Sequence, residues 1–556
     1  MRHWRANLVL FLLFGLGVII VGRLVFLQII NQGFYKALAQ GQQNVSTFTK
    51  GERGTLFVQD KNGNFFILAS NQKVPFAFVS PAEVKNREET AFALAKILQL
   101  EPNVILSKLQ NENSLFEVLK KRISEVQVQQ IQEFALAGVY VGQEQVRSYP
   151  QATLAAHVVG FTNQDGNGQY GAEEHYNSLL EGKEGIKTGA KNPASYLLAA
   201  FAVASQDGQN IILTMDYNIQ QVAESLLEKA KVNLGIEGGT IIVMDPSSGK
   251  ILALANNPTF DPNSYSKVTD IGVFQNPAIQ KIFEPGSVFK ALTMASALDQ
   301  EAVTPQTTYQ DEGSAQIGGR KITNYDQRVW GKRTMTEVLE YSINTGAVFA
   351  ERKLGHQKFL EYLEKFGIFK PTNIDLAGEI FSQNAEFKKG YEINFATASF
   401  GQGIEMTPLQ LLKAFSAIAN NGVLAHPFIV EGNQSEKKQA QVISKRTASQ
   451  ITQMLTSVVQ SGFAKTAQIP GYHVAGKTGT AQISWSALGV AKSGYSDKTI
   501  QSFVGYAPAF DPEFLILVKL DNPATKTAEY SAVPIFRDLA KYIIDYYQIP
   551  PDYEVE

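Results

Sequence analysis

The run from Ser287 to Leu298, SVFKALTMASAL, constrains the fold more than any other stretch. Val288, Phe289, Ala291, Leu292, Met294, Ala295, Ala297 and Leu298 leave almost no polar face on a helix. Such a helix belongs inside a core rather than on a surface. Pro285 and Gly286 punctuate the chain just before it, so the helix is expected to begin at Ser287. Ser287 and Lys290 enter the core with it, one turn apart on one face. An ammonium is costly in apolar surroundings, and burial drives Lys290 toward the neutral amine. A neutral amine beside a hydroxyl is a general base beside a nucleophile. A helix capped by serine, with a lysine reaching out to solvent, fits the same residues without chemistry, so this run alone leaves both readings open.

The rest of the chain narrows the choice. The sequence has 556 residues, enough for several domains, and a net charge of −2, which gives no basic footprint for nucleic acid. It has no cysteine, so thiol catalysis and cysteine metal sites are excluded, and its six histidines are scattered without ligand spacing. No metal and no cofactor is expected. If Ser287 is a nucleophile, its base is a lysine rather than a histidine.

Near the N-terminus, Leu8 to Gly22 carries no charge, and Leu24 to Ile30 resumes the apolar pattern after Arg23. Residues 7–30 are long enough to cross a hydrocarbon layer of about 30 Å. Arg2, His3 and Arg5 precede the run, which predicts a cytoplasmic tail (1–6), a single transmembrane helix (7–30) in the cell membrane and an extracytoplasmic remainder. A cleaved signal peptide is the competing reading. Ala37-Leu38-Ala39 resembles a cleavage site, but it lies well past an apolar run that already exceeds the usual length, so an uncleaved anchor is expected.

Residues 31–205 read as a mixed region without catalytic motifs, a spacer holding something away from the membrane. Strands are expected around the turn Asp60-Lys61-Asn62-Gly63, and helices over Ala91–Leu98 and Ser124–Ala137. Glu173 and Glu174 are expected to be solvated or structural. A second domain is expected over 206–548, followed by a short tail (549–556). It begins with a strand at Ile211–Thr214, a helix over Tyr217–Lys231 and a hairpin, Gly239–Met244 and Lys250–Ala255, about the turn Asp245-Pro246-Ser247-Ser248-Gly249. Helical patterns fill 335–365 and 407–420. Strands return at Tyr472–Val474, Gln501–Tyr506 and Phe514–Leu520, before a last helix over Val533–Tyr547. Strands at both ends with helices between them predict one sheet shared by the N- and C-terminal segments of this domain.

Two further motifs lie in the same domain. Ser342-x-Asn344 can place two short polar groups in one cleft. Lys477-Thr478-Gly479 continues into Thr480. The stretch 471–478 also satisfies the phosphate-loop pattern GxxxxGK[ST]. That loop needs a strand before it and a helix after it. Here Gln468-Ile469-Pro470 precedes, and Gly479-Thr480-Ala481-Gln482-Ile483 favours extended chain, so nucleotide binding is rejected.

Ser-x-x-Lys, Ser-x-Asn and Lys-Thr-Gly, in that order, make up the set shared by β-lactamases and penicillin-binding proteins. The surrounding sequence resembles the class B penicillin-binding proteins, the monofunctional peptidoglycan D,D-transpeptidases. Asp245–Ala253, Pro258–Asn263, Ser399–Ile404 and Thr407–Gln410 are similar to stretches of their transpeptidase domain. Arg53-Gly54, Arg147–Pro150 and Gly171–Glu173 are similar to their pedestal, and Arg23–Gln28 to their membrane exit. Asn276-Pro277-Ala278, Tyr530–Phe536 and Gly54–Asp60 depart from the usual pattern. The resemblance implies an α+β multidomain chain: a membrane anchor, an elongated mixed pedestal of the dimerisation type, and a β-lactamase-like domain with a central antiparallel sheet flanked by helices. It implies a Ser287 nucleophile with Lys290 as base, Ser342 relaying a proton, Asn344 holding a substrate amide and Lys477 biasing the relay. Thr478, Gly479 and Thr480 would bind substrate, with the backbone N–H groups of Ser287 and Thr480 as oxyanion donors. The implied partners are D-Ala-D-Ala stem peptides, β-lactams as inhibitors, a polytopic glycan-polymerising glycosyltransferase and division proteins. With no appended C-terminal module, the chain looks more like the septal enzyme than the elongation type. A β-lactam sensor, a β-lactamase or a non-catalytic scaffold would share the triple motif.

Overall fold

The computed structural model describes residues 4–25, 44–49, 51–111, 114, 116–183, 185–191, 197–432 and 440–555. They fall into two compact units. The smaller unit takes residues 1–54 and 178–209. It contains a 22-residue helix, Trp4–Val25, and an antiparallel sheet in which Gly185–Lys191 lies between Asn44–Thr49 and Leu197–Val203. Among the residues described in full, no helix is long and apolar enough to cross a membrane. The expected end of the span, residues 26–30, lies outside the described residues, as does the Ala37–Ala39 stretch.

The larger unit contains the remainder. Its N-terminal part is a five-stranded sheet built on the long strand Phe65–Val79, which pairs with Leu56–Gln59, Glu117–Lys120 and Val139–Ser148. The expected turn at 60–63 closes the first of these hairpins, where the Asp60 carboxylate accepts from the Asn62 and Asn64 N–H groups. The helices Arg87–Leu98 and Glu125–Phe134 pack on this sheet through Ala91, Leu94, Leu98 and Ile131. Ser124 and Gln127 form a capping box that starts the second helix, three residues of sequence placing two donors on two acceptors. Glu173 is fully buried and accepts from Arg147 Nε at 2.7 Å, so it is structural rather than solvated.

The strand Ile211–Asp216 adds to the edge of that sheet, parallel to Leu56–Gln59, while the Thr214 N–H donates to Ile429 O at 2.8 Å. Asp216 then caps α1 (Tyr217–Leu234) by accepting from the N–H groups of Asn218 and Ile219. Next come β1 (Gly238–Met244) and β2 (Ile251–Asn257), paired antiparallel as expected. The remaining strands of the same sheet are β3 (Ala475–Ser484), β4 (Tyr495–Ala507) and β5 (Phe514–Asp521), giving the order β2-β1-β5-β4-β3. Every pairing is antiparallel. The central strands β1 and β5 are almost wholly buried along their length, which is why GGTIIVM and FLILVKLD read as near-continuous apolar runs: helices cover both faces. α1 packs on β2, and the last helix, Ala532–Tyr547, packs on β4 and β5 through Phe536, Leu539, Ile543 and Ile544.

Three boundaries differ from the sequence reading. The 335–365 stretch is three helices, Met335–Glu340, Asn344–Leu354 and His356–Lys365, because Ser342 and Gly355 take positive φ. Residues 472–474 precede the strand rather than form it; β3 begins at Ala475. The run containing Ser287 opens as a 3-10 turn, Gly286–Phe289, and becomes α2 only at Lys290 (Lys290–Asp299).

Candidate active site

The 3-10 turn sets the first pair. At three residues per turn, side chains i and i+3 eclipse, and Lys290 Nζ lies 2.9 Å from Ser287 Oγ. Gly286 (φ +61°) lets the chain enter this turn against a neighbouring loop, with its N–H donating to Gly401 O at 2.9 Å. A Cβ on Gly401 would stand 2.1 Å from Gly286 O, so glycine is required for the approach.

Ser342 comes from the break between Met335–Glu340 and α3 (Asn344–Leu354). Its φ of +52° is a strained conformation for a serine, and it places Ser342 Oγ between two amines, 3.1 Å from Lys290 Nζ and 3.0 Å from Lys477 Nζ. Lys477 lies in β3 and is completely buried, as is Lys290 to within 1 %. Burial pushes the Lys477 amine down to about 7. Lys290 is driven well below 10.5, first by burial and then by the charge of Lys477. β3 runs on as a strand through Ser484, with no helix after Thr478, which removes the phosphate-loop reading on geometry.

The partners of Lys290 decide where its lone pair points. Ser342 O at 2.6 Å and Asn344 Oδ1 at 2.8 Å can only accept. A neutral amine has two N–H bonds, and these two oxygens take both. The lone pair is left to the two serine hydroxyls, Ser287 Oγ at 2.9 Å and Ser342 Oγ at 3.1 Å, either of which can donate to it.

These side chains open onto a cavity of about 720 Å³, lined by Ser287, Ser342, Asn344, Thr478 and Thr480 among others, a size usual for ligand sites. Ser287, Lys290, Ser342, Asn344 and Lys477 thus lie in one hydrogen-bonded cluster, with Thr478 and Thr480 on the cavity wall. Asn344 is engaged inside the cluster, accepting from Lys290 and donating Nδ2–H to Thr323 O at 2.9 Å. Gly479 is pressed against the serine turn, where a Cβ would meet Ser502 Oγ at 2.5 Å, Val288 Cγ2 at 2.8 Å and Pro285 O at 3.0 Å. It sets the separation between β3 and the Ser287 turn.

Sequence reasoning missed the other walls. One is the loop Thr323–Arg328 with Tyr341 and Phe463; another is Lys526–Tyr530, beyond β5. Tyr341 stacks on Trp330 at 4.7 Å, and Phe463 stands edge-on to both. The signal for Tyr341 was its place next to Ser342; the loops carried none, since their composition is that of ordinary polar turns.

The profile of the penicillin binding protein transpeptidase domain matches residues 239–541, and that of the penicillin-binding protein dimerisation domain matches 48–213. The chain belongs to the class B penicillin-binding proteins. Among relatives in this family, stage V sporulation protein D of Bacillus subtilis is 32 % identical over 540 residues, covering 93 % of this chain and 82 % of its own. A probable peptidoglycan D,D-transpeptidase, PbpC of Pseudomonas aeruginosa, is 31 % identical over 99 % of this chain and 96 % of its own. The crystal structure of penicillin-binding protein 3 from Mycobacterium tuberculosis, complexed with aztreonam, superposes with a TM-score of 0.68 at 26 % identity, covering 91 % of this chain and 98 % of that one. The central antiparallel sheet flanked by helices described above lies within the residues that the transpeptidase profile matches.

Proposed function

We propose that this class B penicillin-binding protein cross-links peptidoglycan by D,D-transpeptidation through an ester on Ser287. The observation that carries the reading is the pairing of Ser287 Oγ with a buried Lys290 whose two N–H bonds are already committed to Ser342 O and Asn344 Oδ1. Lys290 takes the Ser287 proton as Oγ attacks the carbonyl carbon of the penultimate D-alanine. The resulting oxyanion is held by the N–H groups of Ser287 and Thr480, each such donor contributing about 3 kcal/mol. The C–N bond then breaks, and the departing D-alanine amine receives the proton through Ser342, which touches both lysines. Thr478 and Thr480, on the cavity wall, bind the terminal carboxylate. The amine of a second stem peptide attacks the ester and gives a proton to Lys290, which passes it to Ser287 Oγ as the ester C–O bond breaks. A β-lactam follows the first half of this path and stays on Ser287, in keeping with the aztreonam complex of the Mycobacterium tuberculosis protein.

The same reading places residues 7–30 in the cell membrane with 1–6 cytoplasmic, a pedestal over 31–205 and the transpeptidase over 206–548 outside. Relatives named for a sporulation stage and as an FtsI homolog favour septal synthesis over elongation. A membrane glycosyltransferase would supply the glycan. Labelling with a fluorescent penicillin tests the reaction: stable label on the wild type and none on Ser287→Ala is expected. Label persisting on Ser287→Ala would overturn the nucleophile, an unlabelled wild type would favour a scaffold, and label lost rapidly with drug hydrolysis would favour a β-lactamase.

A further inference from the structure

Behind Asn344 lies a buried polar cluster outside the catalytic motifs. Asp311 is 1 % exposed. Its Oδ1 accepts from Thr345 Oγ1–H at 2.6 Å and from the Gly313 N–H at 3.1 Å, and its Oδ2 accepts from the Trp330 N–H at 2.8 Å. Both oxygens also receive Asn324 Nδ2–H, at 3.1 and 3.0 Å. Asn324 Oδ1 in turn accepts the Thr345 N–H at 3.2 Å. One carboxylate therefore ties the loop beginning at Thr323 to the first turn of α3. A carboxylate kept this far from water is retained at a cost, which a surface loop has no evident reason to need.

What the tie controls is the orientation of one amide. Asn344 opens α3, and Thr323 adjoins Asn324. With the two segments clamped, Thr323 O faces Asn344 Nδ2 at 2.9 Å. A carbonyl there admits only the NH2 side of the amide, so the oxygen side is forced toward Lys290, at 2.8 Å. A reversed amide would place Nδ2–H against Lys290 and cap the lone pair that Ser287 needs.

We infer that Asp311, through Asn324 and Thr345, is a positioning residue that fixes the Asn344 amide so that Lys290 can act as a base. The inference rests on the proposed acyl transfer at Ser287. Its signature lies in the acidic limb of the acylation rate against pH. Among the described residues, the one titratable group that faces Lys290 is Lys477; Ser287, Ser342 and Asn344 are neutral neighbours. An acceptor at Asn344 Oδ1 favours the ammonium over the amine. Losing it, or reversing the amide, lowers the pH at which Lys290 deprotonates and at the same time makes the amine a poorer base.

The test measures the rate of fluorescent-penicillin acylation across pH for wild type, Asp311→Asn, Thr345→Val and Thr345→Ser, with thermal melting of each. In Asp311→Asn and Thr345→Val the plateau rate is expected to fall by about 10- to 100-fold, with the acidic limb displaced to lower pH. Thr345→Ser keeps the hydroxyl and is expected to restore both. Should Asp311→Asn fail to fold, Thr345→Val, which has the same shape as threonine, decides the matter. A limb in Thr345→Val that coincides with wild type overturns the inference, even if the plateau falls, because lost packing lowers the amount of active protein without moving a titration. An unlabelled wild type overturns the acyl-transfer reading instead, so the two failures are told apart.

Discussion

Gly479→Ala isolates the separation between β3 and the Ser287 turn. The backbone at Gly479 needs no special φ, so alanine brings only its methyl group. That methyl arrives 2.5 Å from Ser502 Oγ, 2.8 Å from Val288 Cγ2 and 3.0 Å from Pro285 O. Ordinary contacts lie near 3.5–4.0 Å. Ser502 is 1 % exposed and Val288 fully buried, so neither side chain can swing into solvent, and Pro285 O is backbone. β3 must therefore retreat from the Ser287 turn by roughly 0.5–1 Å in a close-packed interior. A displacement of about 1 Å at a reacting centre costs about 100-fold, or about 2.7 kcal/mol of barrier, while overpacking destabilises the fold by about 1–3 kcal/mol. The assay is the second-order rate of acylation by a fluorescent penicillin, read beside a urea unfolding curve. Acylation should drop by one to two powers of ten with the protein still folded. Adding Ser502→Gly removes the nearest contact and should recover only part of the rate, since Val288 and Pro285 remain. Gly479→Ala reacting at the wild-type rate would refute the reasoning.

Two further outcomes follow from buried charge. Lys477 titrates near 7 in the folded protein and 10.5 unfolded, so the unfolded chain holds the extra proton between those values and stability rises as pH climbs through that window. Lys477→Met removes the burden, and unfolding curves should show it more stable than wild type at pH 7 by about 1–4 kcal/mol, with the gain shrinking toward pH 10 while penicillin acylation is lost; a gain independent of pH would contradict the assignment. Among the residues matched by the dimerisation profile, Glu173→Ala removes the carboxylate from the Arg147 guanidinium, whose side chain is 4 % exposed, and should cost about 3–5 kcal/mol in urea without changing the acylation rate of the molecules that stay folded.

The elements legible in the sequence were those with a local cause. The hairpin at 245–249 announced itself through turn residues, and β5 through an uninterrupted apolar run that only a sheet covered on both faces can accept. Ser287 and Lys290 were legible because a polar pair in an apolar helix is hard to explain otherwise. The 3-10 turn that brings them together was not. It depends on Gly401 and Gly479, which are far from Ser287 in sequence and whose role is to let backbone approach backbone. Asp311 was equally hidden: an acidic residue in a polar stretch reads as solvated, and only the return of the Thr323–Arg328 loop over α3 buries it.

The role of Lys290 shows what the fold adds to the motif. A buried lysine is a weak cation wherever it sits, and depressed basicity alone does not make a catalyst. An amine hydrogen-bonded by a donor would be just as neutral and would attack nothing. Here the two oxygens nearest Lys290, other than the serine hydroxyls, are a backbone carbonyl and an amide oxygen whose orientation is dictated by Thr323 O. Neither can give a proton. Burial and the neighbouring Lys477 push the amine toward neutrality, and the two acceptors leave its lone pair to the hydroxyls of Ser287 and Ser342. The spacing Ser-x-x-Lys supplies the proximity; the direction of the proton comes from residues on two other segments of the chain.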